Sequence, residues 1–393
     1  MEMIPFEKAL EIVMDSSFST GTESIPFEES LGRVLASPVI SDMDLPPFNK
    51  SSVDGFAARR ADLGNELLII ETIPAGKYPE KSIGKNQCSR IMTGAPVPSG
   101  ADCVIMVEDT RLIDPEKIKF TGNFKKENIA IKAEDVKKGE IVIEAGRVVR
   151  PQDIAVMASV GHTTVTTGRR PRIGVISSGS ELVEPDQKPG KSQIRNTNSY
   201  QLMAQIARAG GAGNYYGIAR DDEEITYSMV KKAISVNDLV ILTGGVSMGD
   251  FDFVPAVLEK AGVRILFSRV AIQPGKPTTF GIHEKALVAG LPGNPVSSYI
   301  IFELLIRPLI GKMMGYNGKT PVLRLPLREK FSRKYAERMA FIPVIITDDN
   351  MVQPVEFHGS AHISSLPGAD GIISLPIGVN TIEKGELVGV RQI

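Results

Sequence analysis

The chain has 393 residues, 42% of them hydrophobic and 23% charged, with a formal net charge of −1. That length fits two to four domains with sizeable cores, and that balance argues against disorder and against a general nucleic-acid-binding surface. Two cysteines, Cys88 and Cys103, form no CxxC, and the four histidines are scattered, so a thiolate zinc site is not expected and a reduced, cytoplasmic setting is. His358 and His362 stand at helical spacing, but Gly359 and strand-like surroundings argue against a ligand pair.

The first 18 residues carry Glu2, Glu7, Lys8, Glu11 and Asp15, so no secretory signal is expected. Phe6, Leu10, Val13 and Met14 predict one face of a helix. A short strand and helix follow over 25–40. Pro46-Pro47 then breaks the chain into a polar loop, Asn49 to Gly55. Within it Asp54-Gly55 is a turn signal, and taken alone Asp54 is a turn residue. From Glu66 to Ile143 short apolar runs alternate with Gly and Pro turns, which predicts a small β domain. Thr93-Gly94, before Pro96 and Pro98, puts a hydroxyl on a rigid loop; by itself it reads as a turn threonine. A strand, a helix from about Pro151 to Val160 and another strand fill 146–168.

At Arg172 the period changes. Strand-like and helix-like segments alternate over some 140 residues, which predicts a doubly wound α/β domain with a mainly parallel sheet. Asn198 or Ser199 is the expected N-cap of its first helix and Gly210-Gly211 the stop. In such sheets ligands sit at the carboxyl ends of strands. Those ends carry Ser177 to Glu181, Asp221-Asp222, Thr243 to Asp252, and Leu291 to Pro295. The third stretch is the richest: a buried run, Leu239 to Leu242, breaks into Thr243-Gly244-Gly245 and Ser247-Met248-Gly249, then Asp250 and Asp252. Glycines permit close backbone approach, hydroxyls and N–H groups take oxyanions, and carboxylates take Mg²⁺. Gln273 to Pro277 and Leu291 to Pro295 each hold a glycine between prolines; Lys276 is a natural anion partner, and Pro295 opens a helix whose N–H groups can face an anion. Tyr299 to Ile310 is apolar but interrupted by Glu303, Arg307 and Pro308, too short and charged for a membrane span. Beyond Pro321 short strands predict a C-terminal β domain. Its charged residues Arg328, Arg333, Lys334 and Arg338 read as a solvated face.

The expected fold class is α/β plus β, multidomain. The expected boundaries are 1–40 with 144–168 as a discontinuous N-terminal domain, 41–143 as a small β-rich second domain, 169–316 as the central α/β domain and 317–393 as the C-terminal β domain.

PPFNKSSVDGFA, RIMTGAPVPSGADCVIMVED, SSGSEL, IRNTNS, TGGVSMGDFDFVP, IQPGKPTTFG, LPGNPVSS and GSAHISSL occur in that order. On these motifs the chain resembles the MoeA-type molybdopterin molybdenumtransferases, which include the gephyrin E domain, nearly end to end. The resemblance implies joining of molybdate, or tungstate, to adenylylated molybdopterin, with Mg²⁺-dependent release of AMP. It implies a homodimer in which the α/β domain faces the second domain of the partner subunit, and no nucleic-acid or membrane partner. Carried over by motif, Asp54 and Thr93 become second-domain site residues, and Glu181, Asp221 and Asp252 the acidic ones that hold Mg²⁺, Asp252 foremost. Gly244, Gly245 and Ser247 would hold phosphate, Pro292 and Pro295 shape a rigid loop, and Arg269, Lys276, Arg338 and Ser360 would hold the oxyanion. Two departures stand out: Arg269 and Gln273 occur where some members carry lysines, and Ala130 and Ile131 replace arginines upstream of AEDV. Rival readings are a molybdopterin adenylyltransferase, expected as a lone α/β domain, and a non-catalytic gephyrin-like scaffold.

Overall fold

The computed structural model describes residues 2–220, 222–245, 254–318, 321–356, 359 and 361–393. It divides into two compact units: Met1–Ser37 with Ala145–Arg150 and Thr164–Ile393, and Pro38–Glu144 with Pro151–Thr163.

The second of these units is built on a six-stranded sheet. Its strand order is Cys103–Met106, Gly55–Ala58, Gln87–Ile91, Glu66–Ile73, Lys117–Phe120, Thr110–Asp114. Gly55–Ala58 is buried along its whole length, with Phe56 and Ala58 in one apolar cluster and Ala57 in another. A glycine must start it, because a Cβ on Gly55 would lie 1.9 Å from the Ile105 carbonyl oxygen. Cys88 and Cys103 pair on either side of Ala58 as free thiols, and burial pushes each up to about 12. Both stay protonated at neutral pH and act as small apolar side chains.

In the first unit the α/β segment supplies six strands: β1 (Arg172–Ser178), β2 (Ala212–Ala219), β3 (Leu239–Thr243), β4 (Arg264–Phe267), β5 (Thr279–Ile282) and β6 (Leu287–Leu291), in the order β2-β1-β3-β6-β5-β4. The first three and β6 are mutually parallel, and β5 runs antiparallel to both neighbours. The unbroken apolar runs follow from burial on both faces. Ile173, Val175, Leu239 and Ile241 face Leu202, Ile206, Val296 and Ile300, while Ile176, Val240 and Leu242 face Val230, Ala233, Val257 and Leu258. Helices on both faces make the sheet doubly wound. The strand order reverses between β1 and β3, and that reversal places a crevice at their carboxyl ends.

The N-terminal helix Phe6–Asp15 buries Ala9 and Val13 in the same core as the first face of the sheet. Thr22–Pro26 pairs with Thr164–Gly168. The C-terminal sheet runs Ile272–Gln273, Met339–Ile346, Gly371–Leu375, Leu387–Gln392, Val322–Pro326. Its first strand comes from the α/β segment and pairs in parallel with Met339 and Ala340.

Two expectations need correction. The helix Asn198–Arg208 is preceded by Thr197, and neither Asn198 nor Ser199 is its cap. The Ser199 N–H donates instead to Asn196 Oδ1 at 3.3 Å. Arg333 is not a solvated charge either. It donates to the carbonyls of Val379, Arg338 and Pro376 at 2.7, 2.7 and 2.6 Å, because the turns around it leave three acceptors converging on one guanidinium fork. Among the described residues no helix is long and apolar enough to cross a membrane.

Candidate functional site

A cleft of about 890 Å³ opens where β1, β3 and β6 end. Its floor is Ser177, Ser178, Thr243, Gly244, Gly245, Pro292 and Gly293, and its walls include Glu181, Arg195, Asn196, Asn198, Asn294 and Pro295. Three strand ends converge here only because side chains are missing. Gly244 has φ +91°, and a Cβ on it would lie 2.2 Å from the Ser178 carbonyl oxygen. Gly293 packs against Gly244 from the other side, its own Cβ position 3.4 Å from the Gly244 Cα. The Gly244 N–H is taken by the Leu291 carbonyl at 3.2 Å, so it does not hold a phosphate as expected. Gly244 shapes the floor by the close approach that its missing side chain allows.

Interlocked amides fix this floor. Asn198 Nδ2 donates to Thr243 Oγ1 and to the Gly293 carbonyl, both at 2.8 Å, tying β3 to the loop after β6. Thr243 Oγ1 in turn donates to the Pro292 carbonyl at 3.2 Å. Ser177 Oγ donates to Asn196 Oδ1 at 2.9 Å and lies 2.6 Å from Ser199 Oγ. Asn196 Nδ2 donates to the Tyr215 hydroxyl at 2.8 Å, which donates to Glu184 Oε1 at 2.7 Å. Burial, then the Glu184 bond, pushes the Tyr215 hydroxyl up, so it stays a donor at neutral pH. The motif IRNTNS carried this signal, but sequence alone singled out none of Arg195, Asn196 and the bridging role of Asn198. Arg195 is the cation among the described cleft-lining residues.

Ser178 Oγ is buried without a hydrogen-bond partner. It is the buried hydroxyl without a partner among the described residues that line the cleft. Glu181 is exposed at the rim, folded back against Gly179. Its carboxylate and the Ser178 hydroxyl are oxygen donors, the type Mg²⁺ takes. Among the described residues no group of three His, Cys, Asp or Glu side chains is placed to hold a metal by itself.

The other expected site residues divide. Glu181, Gly244, Gly245, Pro292 and Pro295 meet at the cleft. Arg269, Lys276 and Arg338 are not among its described lining, although Pro277 beside Lys276 is. Arg338 Nη1 donates to the Ile272 carbonyl at 3.2 Å, next to Gln273. Ala361 and Ile363 bring the GSAHISSL segment to the cleft. Asp221, Ser247, Asp252 and Ser360 lie outside the described residues, as does His358.

In the other compact unit, Asp54 is exposed at the turn into Gly55–Ala58. Its Oδ1 accepts the Thr93 N–H at 2.7 Å and the Thr93 hydroxyl at 2.8 Å. These bonds, the backbone one foremost, hold its carboxyl below the ordinary value of 3.8. Asp54 is therefore a fixed, ionised acid, and Thr93 is the residue that orients it.

Comparison with known proteins adds the following. The MoeA N-terminal region (domain I and II) matches residues 4–161, the probable molybdopterin binding domain matches 174–312, and the MoeA C-terminal region (domain IV) matches 324–393. A molybdopterin molybdenumtransferase of Staphylococcus epidermidis is 37% identical over 399 residues, covering 98% of this chain and 95% of the relative. One from Bacillus subtilis is 34% identical over 406 residues, covering 99% and 94%. A crystal structure of a molybdopterin biosynthesis moeA protein from Pyrococcus horikoshii OT3 is 30% identical, with a TM-score of 0.87 and full coverage of both chains.

Proposed function

The chain belongs to the MoeA family, and from that premise we propose that it is a molybdopterin molybdenumtransferase acting on adenylylated molybdopterin and molybdate. The observation that carries the reading is the cleft at the β1/β3 reversal, floored by glycines and a partnerless Ser178 hydroxyl. The N- and C-terminal MoeA matches that flank the molybdopterin binding domain favour this reading over a lone adenylyltransferase.

The reaction hydrolyses a phosphate anhydride. A water oxygen bonds to phosphorus, the anhydride P–O bond breaks, and AMP leaves. Catalysis of such a step rests on positioning and charge neutralisation. The Ser178 hydroxyl donates to a phosphate oxygen, and Arg195 neutralises the charge that gathers on it. The amide network of Asn196 and Asn198 keeps both strand ends in place. Mg²⁺ is part of the proposal, with Glu181, Asp221 and Asp252 to hold it; when bound it draws charge from the anhydride oxygens. Arg269, Lys276, Arg338 and Ser360 are proposed for molybdate; Gln273 brings no charge to that set. A cytoplasmic homodimer, in which Asp54 and Thr93 of one subunit serve the site of the other, completes the proposal. Its support is that Asp54 is exposed, ionised and held rigid.

The test is reconstitution: purified protein with adenylylated molybdopterin, Mg²⁺ and either molybdate or tungstate. Release of AMP with formation of active cofactor is expected, and Asp252→Ala should abolish the AMP release. AMP formation that needs no oxyanion and proceeds unchanged in Asp252→Ala would overturn the reading. Formation of adenylylated product from ATP would point to the adenylyltransferase, and neither activity to a scaffold.

A further inference from the structure

A second cavity, of about 260 Å³, shares no lining residue with the cleft. It is lined by Arg208 of the helix Asn198–Arg208, by Glu303, Arg307 and Pro308 of the helical run after β6, by Tyr316 and by Arg391 of the last strand. Glu303 lies in a widened helical turn, Phe302–Ile306, with its side chain fully buried. Its Oε1 accepts from Arg208 and from Gln205 Nε2 at 2.7 Å, and its Oε2 from Arg307 at 2.9 Å. Both carboxylate oxygens are therefore engaged. Arg391 donates instead to the Glu303 main-chain carbonyl at 3.2 Å and has no carboxylate partner among the described residues. Burial, then repulsion from Arg307, pushes its guanidinium below the ordinary value.

The charge count decides the point. The lining carries three arginines and one glutamate, a net charge of +2. Glu303 offsets one of the three positive charges, and the half-buried Arg391 has a main-chain carbonyl but, among the described residues, no carboxylate beside it, so a bound anion would gain from the charge left over. Arginine forks suit tetrahedral oxyanions, which they hold through paired N–H donors. The side chains of Arg208 and Arg307 are 43% and 40% exposed, so the cavity is open to small solutes.

We propose that this cavity binds a tetrahedral dianion, either free inorganic oxyanion or the phosphoryl group of a small ester, between Arg208, Arg307 and Arg391. Arg391 belongs to the C-terminal sheet, whereas Arg208 and Arg307 stand on helices of the α/β segment. The bound dianion pins the last strand to those helices. It stabilises the folded chain by mass action without entering the reaction.

The whole protein is tested in two ways. Crystals are soaked in selenate, and its anomalous signal is sought in the cavity. Calorimetric titrations use inorganic phosphate, sulfate and glycerol 3-phosphate, with nitrate as the monoanion control at constant ionic strength. Selenate between the three arginines is expected, together with tenfold or greater weakening of dianion binding in Arg391→Gln and in Arg208→Gln. Tighter binding of glycerol 3-phosphate than of phosphate would mark the ester as ligand, and the reverse the free oxyanion. Should Arg391→Gln fail to fold, Arg391→Lys, which keeps the charge and loses the fork, is expected to bind with intermediate affinity. An empty cavity in the soaked wild-type crystal, or dianion binding unchanged in the arginine variants, overturns the proposal and leaves a purely structural ion cluster.

Discussion

The cleft floor in the first unit and the Asp54 corner in the second are built on opposite plans. The floor is specified by what is missing. Gly244 admits the Ser178 carbonyl where a Cβ would stand, Gly293 packs on Gly244, and buried amides from Asn196 and Asn198 bolt the strand ends together. The corner is specified by one exposed carboxylate, fixed by two bonds from a single threonine. In the floor, then, function and stability share the same contacts, and damage to one reaches the other. At the corner the chemistry is separable from the fold, because little is packed against the acid.

Substitutions can break that contrast. Gly244→Ala should have the largest effect. Its φ of +91° and the 2.2 Å approach to Ser178 both oppose a side chain. Turnover should fall at least 100-fold and Tm should fall with it, read by AMP release and thermal melts on one preparation. Full activity at an unchanged Tm would remove the case for a floor built by close approach. Asp54→Asn should come next: AMP release down roughly tenfold or more with Tm within about 1 °C of wild type, since surface changes usually move stability little. A large Tm loss there would erase the distinction between the two regions.

Asn198→Ala sharpens the stability side. It removes the donor to Thr243 and to the Gly293 carbonyl in a buried setting, at a cost of about 1–3 kcal/mol. Denaturant titration measures this, and no loss of stability would show that the amide does not hold the strand ends. Thr93→Val is the smallest change. It removes the hydroxyl bond to Asp54 and keeps the N–H bond, the larger cause of the lowered carboxyl. The Asp54 titration followed by NMR should move part of the way up towards 3.8. A lowered folded value means that the stability Asp54 contributes is present above its unfolded value and lost as pH falls through the folded one. In Thr93→Val that loss should be smaller and complete at higher pH.

Much of this was legible in the sequence, for identifiable reasons. Leu239 to Leu242 has no polar interruption, and only a strand covered on both faces asks for that, so the doubly wound sheet and its glycine turn could be read directly. Arg333 could not: two of its three carbonyl partners, those of Val379 and Pro376, come from a turn far along the chain, and no local pattern announces them. Asn198 looked like a cap because asparagine before a helix usually is one, yet tertiary contacts claimed its amide for two distant loops. Glu303 looked like a charge interrupting an apolar helix, and only the fold supplies the arginines that make it a buried anchor. Asp54 read as a plain turn residue until the motif around it suggested otherwise; its geometry then proved that of a rigid acid.

A crystal structure of this protein with AMP tests the central claim most directly. The account predicts the AMP phosphate in the cleft at the β1/β3 reversal, within hydrogen-bond distance of Ser178 Oγ and beside Gly244, Gly245 and Arg195. AMP bound elsewhere on the chain, with the cleft empty at saturating nucleotide, would contradict it.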